Sequence, residues 1–189
     1  MAVAITRPGA DIAGVAASGN VATYTDTNIG AAADDRIVVV CVGTELTSSV
    51  PTACTIGGVA ATAGVAATLG AVNSHIFYRR VSAGTTATVA VTFGGTNPTA
   101  VQNHIAVYRV VGGGLPVTGA SSIADTDADP ISSGAITIPT SGGCIAICSD
   151  AANATARTWT GITEDLDVDS TAFRFSTGTS TTAGTPTIT

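Results

Sequence analysis

Apolar and polar residues alternate along this chain in short runs, and Gly, Pro, Ser, Asn and Asp part the runs. Period-two alternation predicts strands, and the punctuating residues predict turns. Thr85 to Phe93 is the clearest case. Thr85, Ala87, Val89, Val91 and Phe93 point one way and Thr86, Thr88, Ala90 and Thr92 the other, which predicts one buried and one wet face. Arg36 to Val42 is apolar on both faces and predicts a central core strand. Gly143 to Cys148 reads similarly, with Ile145 and Ile147 opposite Cys144, Ala146 and Cys148. Further strands are expected at Val21–Thr25, Ala53–Ile56, Val59–Ala61, Ser74–Val81, His104–Val111, Ala135–Ile138, Arg157–Thr160 and Ala172–Phe175. Gly57-Gly58 should join two strands as a hairpin, because glycine tolerates the positive φ such turns need.

No stretch carries a capped helical stripe; a single helical turn at Ala31 to Asp35 is the one place the pattern allows it. The expected fold is therefore all-β: an antiparallel β-sandwich, jelly-roll-like, with essentially no helix. One domain over residues 1–189 is expected, with 1–20 as an extended N-terminal arm. Asn73-Ser-His-Ile-Phe-Tyr-Arg79 and Asn103-His-Ile-Ala-Val-Tyr-Arg109 look alike, with the histidine offset by one. They read either as an internal duplication or as two strands built from residues that suit strands.

Composition sharpens this picture. Hydrophobic residues make up 45% of the chain and charged ones 11%, the reverse of a disordered chain. Aromatics are only 4%, so the core must be built from small side chains that bring sheets close together. The strongest apolar run, Ile37 to Val42, is far too short for a membrane helix, and the weaker stretch from Ile56 to Val72 is broken by glycines and threonines, so no membrane span is expected. Met1-Ala-Val-Ala-Ile-Thr-Arg-Pro8 lacks a basic start followed by an apolar region, so no secretory signal is expected. The net charge is −6 and there is no lysine, which argues against a nucleic-acid partner and for acidity as a solubilising device. The cysteines, Cys41, Cys54, Cys144 and Cys148, read as buried free thiols. Cys144 and Cys148 on one side of a strand would stand roughly 13 Å apart, beyond disulfide reach, while a cross-strand disulfide stays open.

Candidate chemistry is thin. A P-loop needs a lysine, and His-Glu-x-x-His, Gly-x-Ser-x-Gly and Cys-x-x-Cys do not occur. Cys144-x-x-x-Cys148 has no neighbouring histidine to complete a zinc site. The two histidines, His75 and His104, fall inside predicted strands and read as structural. Asp125-Thr-Asp-Ala-Asp129 departs from an EF-hand loop at Pro130 and Ile136, which leaves open a calcium loop of another kind. Glu164, Asp165, Asp167 and Asp169 flank Leu166 and Val168, the pattern of an edge strand whose charges block unwanted pairing. Trp159, the only tryptophan, reads as a partly buried anchor. No catalytic, cofactor-binding or metal-binding residue is assigned, no cofactor is expected, and the chain is not expected to be an enzyme.

Three segments carry a family resemblance. Cys54-Thr-Ile-Gly-Gly-Val-Ala-Ala-Thr62 resembles the Gly-Gly hairpins of small β-sandwich virion proteins of tailed bacteriophages. Arg80-Val-Ser-Ala-Gly-Thr-Thr-Ala-Thr-Val-Ala-Val-Thr-Phe93 resembles the Thr/Val strands that follow them, and Trp159-Thr-Gly-Ile-Thr-Glu-Asp165 is similar to segments late in such chains. The resemblance implies a sandwich assembled on a capsid or tail in the virion, built in the host cytoplasm, with the major capsid protein or other virion proteins as partners. It carries no catalytic motif. The chain's end at Thr189, soon after the tryptophan segment, leads to the expectation of a head-decoration (cement) or spike-base role, as a homo-oligomer such as a trimer. A tail or adaptor protein contacting a receptor, and a carbohydrate-binding module, are the alternatives.

Overall fold

The computed structural model describes residues 2–9, 14–114, 137–151 and 157–188. Its strands are β1 (Ala4–Thr6), β2 (Val21–Asn28), β3 (Ile37–Glu45), β4 (Val50–Ile56), β5 (Val59–Ala60), β6 (Thr62–Leu69), β7 (Val72–Arg80), β8 (Thr86–Gly94), β9 (Asn103–Val111), β10 (Cys144–Ala151), β11 (Trp159–Thr160), β12 (Thr163–Asp169), β13 (Phe173–Ser180) and β14 (Thr187–Ile188). One 3₁₀ turn, Ala100–Gln102, is the only helical element among the described residues. Ala31 to Asp35 forms bends and a turn rather than a helix, closed by the Arg36 amide on the Ala33 carbonyl. The Asp125–Asp129 loop and the first half of the expected Ala135–Ile138 strand lie outside the described residues; Ile138 itself bridges Gly184. No helix among the described residues is long and apolar enough to cross a membrane.

The antiparallel sandwich is present, and it has a third layer. A five-stranded sheet, β1-β9-β3-β7-β6, stands in the middle. A four-stranded sheet, β2-β8-β4-β5, covers one face of it, and a three-stranded sheet, β10-β13-β12, covers the other. β3 explains why both faces are covered. Val38, Val40 and Val42 point into a core with Tyr24, Ile56, Phe77, Val91 and Phe93, whereas Ile37, Val39 and Cys41 point into a second core with Tyr108, Leu166, Phe173 and Phe175. A strand apolar on both faces needs a partner sheet on each side.

β7 and β9 flank β3 in matched register. Val39 opposes Tyr78 and Tyr108, Val38 opposes Arg79 and Arg109, and Thr44 opposes Asn73 and Asn103. The two look-alike segments are thus neighbours of the same strand. Their one-residue histidine offset places His75 against Phe77 on one face and His104 against Phe173 and Phe175 on the other.

Two local devices hold the layers. Gly43 brings β3 close to the third sheet: a Cβ there would lie 2.3 Å from Cδ2 of Phe175 and 2.8 Å from Oγ of Ser149. Arg36, fully buried just before β3, ties two loops together. Its Nε donates to the Val81 carbonyl, Nη1 to Gly30 and Nη2 to Ala83, each at 2.6 Å. Burial lowers its pKa from the ordinary value, yet a guanidinium stays charged, and its fork of N–H donors serves all three carbonyls.

Candidate functional site

Among the described residues, the densest group of charged side chains sits on the outer face of the β10-β13-β12 sheet, and strand register assembles it. Asp150, Arg174 and Asp169 stand abreast in one cross-strand row, Cys148, Ser176 and Asp167 in the next, and Ala146, Gly178 and Glu164 in a third. Alternation sends Ile147, Phe175 and Val168 into the core beneath. β12 is an outer strand, as its acidic alternation predicts, and it carries a bulge between Glu164 and Leu166.

Most of these charges are already engaged. Arg174 Nε lies 2.7 Å from Asp167 Oδ1, Nη2 meets Oδ2 of the same carboxylate, and Nη1 lies 3.9 Å from Asp169. The hydrogen bond to Asp167 pushes the Arg174 pKa above its ordinary value. Arg157 pairs with Asp150 and also hydrogen-bonds the Cys148 thiol. Trp159 Nε1 donates to Glu164 Oε1 at 2.9 Å and to Ser176 Oγ at 3.1 Å, and Ser176 Oγ donates to Glu164 Oε1 at 2.7 Å. Gly178 lets the strand beside it and the indole pack close, since a Cβ there would lie 2.6 Å from Ile162 Cγ2, 2.8 Å from the Thr163 carbonyl oxygen and 3.3 Å from Trp159 Cε3. The expected half-buried anchor is therefore a hydrogen-bonded one. The arrangement fixes a rigid acidic face, with four carboxylates against two guanidinium groups.

The thiols and histidines do not converge on this face as a reactive pair. All four cysteines are free. Burial pushes Cys54 up to about 12 and pushes Cys41, Cys144 and Cys148 up as well, which keeps each as a thiol at neutral pH. Burial lowers the His75 pKa, and its buried Nε2 has no hydrogen-bond partner among the described residues. Among the described residues no three His, Cys, Asp or Glu side chains are grouped to hold a metal ion.

Beside Trp159, a groove of about 350 Å³ runs between Thr160–Thr163 and Thr182–Pro186. It offers threonine and serine hydroxyls around Ile162 and Pro186, and among the described residues no ionisable side chain. A hydroxyl-lined groove can accept hydrogen bonds from a neutral polar ligand or bridge to water; it supplies no acid or base.

The opposite outer surface of the molecule has another character. On the β2-β8-β4 sheet, Thr23, Ala90 and Thr55 form one cross-strand row and Val21, Thr92 and Ala53 the next. Thr25 and Thr88 extend the same face. Every one of these side chains is uncharged and exposed or half-buried. Sequence patterning identifies the threonine face of Thr85–Phe93. The ion pairs were not foreseen: the predicted Ala172–Phe175 strand contains Arg174, and pairing it with the acidic strand as a hairpin is the signal that leads to them. Searches of family models, curated proteins and solved structures each return no match to this chain.

Proposed function

We propose that this chain is a structural subunit of a tailed-phage virion, a head-decoration protein that staples the outer capsid lattice by non-covalent contact. The observation that supports this reading is the two-sided surface. A neutral threonine and alanine face lies on one outer sheet, and an internally paired acidic face on the other. A neutral face loses little on desolvation and docks on a neighbour without like-charge repulsion. The acidic face stays in water and keeps the assembly soluble. The resemblance of the Cys54–Thr62 hairpin, the Arg80–Phe93 strand and the Trp159–Asp165 segment supplies the setting. Val59, half exposed at 50% on that hairpin, is an apolar contact ready for a partner. Attachment of many copies raises shell stability far beyond what one contact provides.

The test is binding of purified chain to source particles stripped of it, read by cryo-microscopy and co-sedimentation. Head-located density in the particle is expected. A Thr55→Glu, Ala90→Glu pair should lose binding while Asp169→Asn keeps it. Density on the tail alone assigns the chain to the tail or adaptor alternative, and no density on the particle refutes a virion role.

A further inference from the structure

We infer that the Val59–Leu69 edge is a self-association surface, and that its partner is the same edge of a second copy, paired antiparallel across a twofold axis. This names a contact surface for the assembling subunit proposed above and rests on that reading only for its biological setting.

Among the described residues, the other open edges are short, bulged or carry charge, and β6 has none of these guards along most of its length. β1 and β5 are only three and two residues long. β12 carries four carboxylates along its length. β2 bulges between Tyr24 and Thr27, where Asp26 adopts a φ of 51°. β10 carries Asp150, paired with Arg157, one residue before its end. β6 is eight residues long, is the outermost strand of the central sheet, and contains neither a charged residue nor a proline. A long uncharged edge with unpaired backbone donors and acceptors is a template for another strand. The bulge at Gly64–Val65 adds twist to β6 and supplies no charge.

The segment is continuous with β5, so one run of chain forms the rim of both the central sheet and the β2-β8-β4-β5 sheet. Along that run the pentapeptide Gly-Val-Ala-Ala-Thr occurs twice, at Gly58–Thr62 and Gly64–Thr68. Exposure repeats with it: Ala60 and Ala66 are exposed, Ala61 and Ala67 half-buried, Thr62 and Thr68 exposed. A repeated, small and neutral strand matches itself in reverse with no bulky or like-charged pair opposed. With a net charge of −6, two copies repel at long range, and a neutral rim adds no like-charge contact to that repulsion.

Size sets the strength. Eight residues extend about 27 Å, and a single strand pair falls short of the roughly 1,200 Å² at the low end of stable interfaces. The contact is therefore weak between free copies and becomes firm where a lattice holds copies side by side.

Sedimentation velocity over roughly 10 μM to 1 mM tests this, a range suited to a weak dimer. The weight-average mass should rise from 18.4 kDa toward twice that value. Amide hydrogen exchange at the two ends of the range should show protection gained at residues 62–69. An Ala66→Lys, Thr68→Lys variant should remain at monomer mass throughout, and Thr88→Lys, on the neutral sheet face, should associate like the parent. A constant monomer mass overturns the inference. So does association with no protection at residues 62–69, or loss of association in Thr88→Lys. Failure to find the chain on a particle leaves this result untouched, so the two readings fail separately.

Discussion

Arg36 offers the sharpest test of how the layers are held. Its guanidinium is fully buried and bonded to the carbonyls of Gly30, Val81 and Ala83, with no carboxylate partner within the set. Replacing Arg36 with methionine keeps a similar apolar stem and deletes every donor. Each buried carbonyl that loses its donor costs about 1–3 kcal/mol. The carbonyls here are only part-buried and regain some water, which favours the low end of that range. Arg36→Met should therefore lower stability by about 3 kcal/mol, a large share of the roughly 5–15 kcal/mol typical of a domain. With a urea slope of about 2 kcal/mol per molar, the unfolding midpoint should fall by about 1.5 M at an unchanged slope. Arg36→Lys keeps the charge but has one nitrogen in place of three, so it should fall between the two. Equilibrium urea unfolding followed by Trp159 fluorescence measures all three proteins. A loss below about 1 kcal/mol in Arg36→Met would show that water replaces the guanidinium freely and that the loops are held by other contacts.

Gly43→Ala places a Cβ against the Phe175 ring and should destabilise the chain by about 1–3 kcal/mol; an unchanged melting curve would mean the third sheet does not rest on β3 as described. His75 predicts an acid-sensitive term. Burial holds its folded pKa below the ordinary 6.5, so the unfolded chain takes up the proton first, and stability is full above 6.5 and falls as pH drops from there toward the folded value. His75→Phe should flatten urea midpoints between about pH 6.5 and pH 5, and an identical pH slope in the variant would refute the assignment. Because burial suppresses thiolate formation, Cys41 and Cys54 should resist alkylation at pH 8 until the chain unfolds; rapid labelling of either in native protein, read by mass spectrometry, would contradict their buried placement. Arg174→Ala should cost about 1 kcal/mol or less, and the loss should shrink in high salt, since its carboxylate partners are partly solvated.

The fold was legible wherever one strand carried its own pattern. Thr86–Gly94 lies within a residue of its expected bounds because threonine and valine alternate without interruption there. Ile37–Glu45 is central because valines fill both of its faces. The same doubled burial implied a cover on each side, but sequence does not say which later strands supply it, so the third sheet was unforeseen. β6 was hidden because Gly64 and the bulge beside it break the alternation that marks a half-buried strand. The paired acidic face was legible only as an acidic edge. Its Arg174 and Arg157 contacts depend on register between strands, and a one-residue slip would send every one of those side chains to the other face. Arg36 was included in the expected Arg36–Val42 strand without a role of its own, since its partners are backbone oxygens, two of them more than 40 residues along the chain.

The double duty of β3 also fixes an order of events on the ribosome. Every strand of the central sheet has been made by Val111, whereas the layer that shelters Ile37, Val39, Cys41 and Tyr108 begins only at Cys144 and is complete at Ser180. At about 5–20 residues per second, translation leaves that oily surface bare for several seconds. A nascent two-layer intermediate is thus sticky on one side, and holdase chaperones that grip aliphatic patches have their window there.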